Sequence, residues 1–249
     1  MISDAWRRRS EVIGKYASMA FSAVRQQGFA AGVGQVASEV VFDRRHGLAA
    51  FLPREVSDGV DDPTFRIADA VQYQGVDPRL ALRILEMLPM ETRSKATFVD
   101  YGCGKARGLA VGILAGFRRL VGVEVSRELA ALADRNLAVM RQRNPGVDVQ
   151  IHVMDATRYQ PPEGPLVAFL YNPFVGLTLE RVVQRLEQHA THHPVWVVYI
   201  NPRGRSAFLN RGFRERSIFG SSEALLLQSG PECENVDTFG MGETLDKGR

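Results

Sequence analysis

This sequence predicts an α/β fold, a mostly parallel sheet with helices on both faces, on three observations. From about residue 64 onward, short apolar runs alternate with amphipathic stretches of helical spacing. Three of those runs close on an acid, at Asp100, Glu124 and Asp155. A fourth, 166–171, is apolar throughout, as a strand buried on both faces has to be. A chain of 249 residues with 45% hydrophobic and 24% charged residues can bury one substantial core, with room for an appended helical piece.

Taken in order, residues 4–26 place Trp6, Val12, Ile13, Tyr16, Met19 and Val24 near one helical face with basic residues opposite. Such a helix packs on the main domain, or lies on a membrane surface or a partner. Residues 29–42 are ambiguous, because Gly32 and Gly34 weaken a helix. Arg44, Arg45 and His46 read as a solvated turn, and 53–63, rich in Pro, Asp and Gly, as a loop. The division expected is an N-terminal helical extension and linker over 1–63, a catalytic domain over 64–230 and a tail over 231–249. All of the +3 net charge sits in residues 1–50, with seven Lys/Arg against four Asp/Glu, too mild a bias to argue for nucleic acid. Asp77-Pro78 opens a helix whose apolar side is Leu80, Leu82, Ile84, Leu85 and Leu88, and Pro89 ends it.

The most informative stretch follows. Phe98-Val99-Asp100 ends a strand, Tyr101-Gly102-Cys103-Gly104 turns, and apolar residues resume at helical spacing from Leu109. Glycines at 102 and 104 let the backbone turn with positive φ and approach a ligand, and the helix behind them points free N–H groups at it. A second apolar run, 119–125, sets Glu124 at its end, 20 residues after Gly104, where an acid can bind ribose hydroxyls. The order Asp100-x-Gly102-x-Gly104, strand and acid resembles class I S-adenosylmethionine (SAM)-dependent methyltransferases, with Ala106 standing where a third glycine is often seen. That resemblance implies a Rossmann-like seven-stranded sheet, SAM as cofactor, and Asp100, Tyr101, Gly102, Cys103, Gly104 and Glu124 as cofactor-binding residues. It also makes Tyr73 and Gln74 candidate lid residues, with ordinary packing as the alternative. A nicotinamide site, by contrast, expects Gly-x-Gly-x-x-Gly, which this loop lacks.

Ser126 caps a helix running to about Arg143 with Leu129, Ala130, Leu132, Ala133, Leu137 and Met140 inside, and 147–154 forms the third strand. By the resemblance Asp155 reaches the adenine amino group; alternatively it caps the turn into Ala156-Thr157. The central strand ends in Asn172-Pro173-Phe174. This resembles a shortened form of the Asn/Asp-Pro-Pro-Tyr/Phe motif of amino-directed methyltransferases, which makes Asn172, Pro173 and Phe174 the catalytic candidates and Asn172 a cofactor neighbour as well. The alternative is a strand ending in a turn that packs Phe174. Pro173 is expected to restrict Asn172 to an extended backbone.

A helix over 177–189, a fifth strand over 194–200 ending at Asn201-Pro202, a short helix over 205–209 and an antiparallel pair over 213–219 and 223–228 complete the sheet. His189 and His193 have metal-ligand spacing only on a continuous helix, and Pro194 argues against one, so no metal is expected. Cys103 and Cys233 form neither a zinc pattern nor a disulfide framework. With no signal peptide or transmembrane span apparent, a cytoplasmic enzyme is expected. The function implied is methyl transfer from SAM to an unidentified acceptor, with a nitrogen favoured and the N-terminal segment covering the acceptor pocket. A non-catalytic SAM- or nucleotide-binding protein is the alternative.

Overall fold

The computed structural model describes residues 29–50, 77–219 and 224–231. The expected helix over 4–26, the loop over 53–63, Tyr73 and Gln74, and the tail beyond 231 lie outside the described residues.

Helix α1 (Phe29–His46) leads into the core, so Gly32 and Gly34 are helical, and Arg44, Arg45 and His46 form its last turn instead of a free loop. Helices α2 (Pro78–Glu86) and α3 (Met90–Lys95) precede the sheet. Asp77 caps α2 by accepting the Arg79 N–H at 2.9 Å, with Pro78 at the first helical position as anticipated. Then β1 (Thr97–Tyr101), α4 (Arg107–Leu114), β2 (Arg119–Glu124), α5 (Arg127–Arg143) and β3 (Asp148–Val153) alternate. A 3₁₀ turn (Ala156–Arg158) leads to β4 (Leu166–Tyr171), α6 (Gly176–Ala190), β5 (Val195–Ile200), α7 (Arg205–Leu209), β6 (Arg214–Phe219) and β7 (Ala224–Ser229).

The seven strands form one sheet in the order β3-β2-β1-β4-β5-β7-β6. All pairs from β3 to β5 are parallel, while β7 runs antiparallel to both β5 and β6. Succession from β1 proceeds outward to β2 and β3, and from β4 outward to β5. Direction therefore switches between β1 and β4, and in open α/β sheets such a switch point is where ligands bind, outside the carboxyl ends of the strands.

Period-two alternation sends Phe98, Val167, Phe169, Trp196 and Val198 to one face. Val99, Tyr101, Ala168, Leu170, Val197 and Tyr199 go to the other. On the first face Phe98 packs between Phe117 and Phe169, with ring centroids 5.0 and 5.5 Å away, under Ile84, Leu85, Leu109 and Leu137. On the second, α6 contributes Leu179, Val182, Val183 and Leu186. Each such side chain, fully buried, contributes roughly 1.5–3 kcal/mol. Leu48 and Ala50 join the first cluster, so the described stretch after α1 packs into the same core as the sheet.

Among the described residues, no helix is long and apolar enough to cross a membrane.

Candidate functional site

The glycine loop is stitched to the strand beside it before it reaches its helix. The N–H groups of Gly102 and Cys103 both donate to the Val123 carbonyl, at 2.8 and 3.1 Å, and the Gly104 N–H donates to Glu124 Oε2 at 2.8 Å. Gly102 and Gly104 have φ of 73° and 53°. Ala106 also takes a left-handed φ, of 70°, at the N-cap of α4 and offers no side-chain cap. The cap comes instead from β1. Asp100 accepts the Leu109 N–H, and its Oδ2 lies 2.4 Å from where a Cβ on residue 108 would stand. Glycine at 108 is thus what lets a strand carboxyl sit under the helix start. A Cβ on Gly102 would meet the Pro173 Cβ at 2.4 Å, so the loop after β1 and the end of β4 touch across the switch point.

Two buried acids define the floor. Burial, and next the negative charge of Glu124, pushes the Asp100 carboxyl up to about 8, with the Leu109 N–H opposing. Burial also raises Glu124, against hydrogen bonds from the N–H groups of Ser126, Gly104 and Val125. Asp100 is therefore largely protonated at neutral pH. A carboxyl raised on folding contributes its full stabilisation below the unfolded value near 4, and this is lost as pH rises through about 8. Replacing it with the neutral isostere, Asp100→Asn, is expected to remove that dependence. Urea unfolding at pH 5 and pH 8.5 should show the variant gaining on the parent by a few kcal/mol at the higher pH, roughly the size of such a shift. An unchanged gap would mean Asp100 is ionised throughout.

Cys103 is buried, with its sulfur 2.7 Å from where a Cβ on Gly122 would stand, and burial holds the thiol well above its ordinary value. It packs as a neutral thiol under the turn. The Tyr101 side chain leaves on the face opposite Asp100, edge-on to Tyr159 at 6.0 Å, and its hydroxyl has no hydrogen-bond partner. Only its backbone belongs to the loop. Asp155 accepts the Thr157 N–H at 2.8 Å and caps the 3₁₀ turn.

At the end of β4, Asn172 departs from expectation. Its φ is 39°, in the left-handed region and not extended. A residue before proline is steered away from the right-handed helical region, and asparagine is among the few side chains that tolerate the left-handed one. The side chain is buried, yet among the described residues neither Oδ1 nor Nδ2 has a hydrogen-bond partner. Phe174 is also buried and belongs to the second cluster.

Two features escaped sequence reasoning. Asn201, one residue past the registered pair Tyr171 and Ile200, repeats the Asn-Pro sequence with φ 51°, so two left-handed asparagines end adjacent strands. The repeated Asn-Pro at two strand ends was the available signal. The other is charge buried behind the loop. The Arg107 Nε and Nη2 groups donate to the two carboxylate oxygens of Asp43, at 3.0 and 2.9 Å, and Nη1 donates to Glu39 at 2.7 Å. His189 and His193 have other partners: His189 contacts the Gly164 carbonyl at 2.9 Å and His193 the Glu163 carboxylate at 2.5 Å.

No family model and no curated protein matches the sequence. Among solved structures, the chain is similar to the ribosomal protein L11 methylase from Lactobacillus delbrueckii subsp. bulgaricus, at 16% identity over 68% of this chain and 90% of that one, with a TM-score of 0.45. It is similar to an S-adenosylmethionine-dependent methyltransferase from Mesorhizobium loti, at 15% identity over 62% and 98%, with a TM-score of 0.43. A glycopeptide N-methyltransferase solved with SAM shares 8% identity over 61% and 93%, with a TM-score of 0.47. By strand order, by the antiparallel β7 and by the glycine loop after β1, the chain has the fold of the class I SAM-dependent methyltransferases.

Proposed function

We propose that this protein is a SAM-dependent methyltransferase whose acceptor atom is a nitrogen presented at the end of β4. The observation that carries the reading is the Asn172 carboxamide, buried at the carboxyl end of a central strand with neither polar atom partnered among the described residues. Leaving such a group unsatisfied costs roughly 1–3 kcal/mol, and a role in binding or catalysis is one of the recognised reasons that folded proteins retain the cost. Pro173 against Gly102 keeps this carboxamide next to the glycine loop.

The loop suits the cofactor. Gly102 and Gly104 leave its backbone free of side chains, and acids stand at the ends of the neighbouring strands. Bound there, SAM supplies an electrophilic methyl carbon on a sulfonium sulfur. Glu124 already accepts three backbone N–H groups. A carboxylate has about four acceptor sites, so one stays open to a ribose hydroxyl, and a second hydroxyl would have to displace one of the three N–H groups. Asp155 keeps acceptor capacity beyond its cap, suited to the adenine amino group. The Asn172 Oδ1 accepts a hydrogen bond from the acceptor N–H and turns the nitrogen lone pair toward the methyl group. Positioning of this kind supplies most of the acceleration in such a transfer. Solvent takes the proton from nitrogen afterwards, so no general base has to adjoin Asn172.

Calorimetry with SAM against NAD tests the cofactor, and transfer of a labelled methyl group into a cell extract tests catalysis. Binding of SAM without any transfer would favour a non-catalytic SAM-binding protein. Because hydrogen bonds to a charged group contribute roughly 1.5–3 kcal/mol, Glu124→Ala is expected to weaken SAM at least about tenfold. Unchanged affinity in a folded variant would remove Glu124 from the site.

A further inference from the structure

Arg107 opens α4, directly after the glycine loop, at a helix end where a positive charge is unfavourable. Its guanidinium is 2% exposed, and it reaches back to Glu39 and Asp43 on α1, whose side chains are 5% and 7% exposed. The same stretch holds the loop at further points. Asn136 of α5 accepts the Ala49 N–H at 3.0 Å through Oδ1 and donates to the Lys105 carbonyl at 2.9 Å through Nδ2. The Ala50 N–H donates to Asp43 Oδ2 at 3.0 Å, so one carboxylate fixes both Arg107 and the chain leaving α1. Residues 105 and 107 of the cofactor loop are thus tied, through charge and through one carboxamide, to residues 39, 43 and 49.

From this juxtaposition we infer that Asp43 and Glu39 are positioning residues for the cofactor loop, with Arg107 as their handle: α1 sets the loop's geometry, where the sequence suggested a cover for the acceptor. The carboxylates supply the counter-charge that lets a cation stand at the start of α4. The bidentate pair with Asp43 and the single bond to Glu39 fix where α4 begins, and therefore where the Gly102 and Gly104 backbone lies relative to Glu124. The consequence for cofactor affinity rests on the SAM reading above; the consequence for the loop itself does not.

The test separates the two. In Asp43→Asn, amide hydrogen exchange is measured at Gly104, bonded to Glu124, and at Ala106, bonded to the Cys103 carbonyl, and compared with amides of β4 and β5. Exchange at the loop is expected to rise about tenfold or more while the strands stay within about twofold, the pattern of a local opening. Uniform acceleration would make the pair ordinary core structure, and an unchanged loop would show that α1 does not position it; either overturns the inference. A second variant, Glu39→Met with Asp43→Asn and Arg107→Met, removes the buried charges together, a replacement that proteins often tolerate, and is read in the same way. Calorimetry then follows SAM, whose affinity for Asp43→Asn is expected to fall about tenfold, the scale of a displaced binding loop. A parent protein that does not bind SAM would refute the proposed function while leaving the exchange result to stand or fall alone.

Discussion

Replacing Asn172 with alanine is expected to lower kcat by about 10²-fold while SAM affinity stays within about threefold, the signature of an orienting contact to the acceptor. The carboxamide is buried, neither of its polar atoms has a partner among the described residues, and it ends the central strand beside the glycine loop. The left-handed backbone complicates the alanine variant, because a Cβ without a local hydrogen-bonding group costs roughly 1–2 kcal/mol at such a φ. Asn172→Gly therefore makes the pair. It removes the carboxamide and relaxes the backbone at once, and it is expected to lose the same 10²-fold, again about the cost of one lost contact. Steady-state kinetics on the two variants, once an acceptor is known, decide the matter. Full turnover in Asn172→Gly with loss only in Asn172→Ala would assign the effect to strain and withdraw the nitrogen acceptor. Asn172→Asp is expected to be milder, since it keeps an oxygen at the same reach.

The second large effect concerns stability. Arg107→Met should lower the free energy of unfolding by about 3–5 kcal/mol, because it leaves two buried acids facing a space their partner has left. Urea unfolding of the purified variant measures it. The variant that neutralises Glu39, Asp43 and Arg107 together should recover most of that loss, since the cost comes from buried negative charge left without the Arg107 counter-charge and not from the missing contacts. A single variant as stable as the parent would mean that Glu39 and Asp43 do not depend on Arg107.

A good part of the site was legible in the sequence because its signals are local. Gly102 and Gly104 are glycines where the turn needs positive φ, Asp77-Pro78 and Ser126 are helix caps read from single positions, and Asn172-Pro173-Phe174 closes an apolar run. The resemblance carried by Asp100-x-Gly102-x-Gly104 anticipated the seven-stranded sheet, and the strand order agrees with it. Asp100 and Asp155 were read as cofactor ligands through that resemblance, with a cap on the turn into Ala156-Thr157 as the alternative for Asp155. The structure gives each a helix-capping bond as well, and strand position alone cannot say whether a carboxylate faces a ligand or a backbone N–H.

By itself, then, the sequence determined the alternation of strands and helices, the location of the loop, and which residues stand at the strand ends, because period, caps and turn chemistry act over a few residues. Only the tertiary structure decided how those residues are used. Arg107 is neutralised by acids 64 and 68 positions earlier in the chain, pairings that no local pattern encodes. Gly108 is required because a carboxyl from β1 lies against it, and Asn172 turns left-handed at a strand end packed on Gly102. The protonation of Asp100 belongs to the same class: it follows from how completely the folded chain removes water from two acids and how close it brings them, and both are properties of packing.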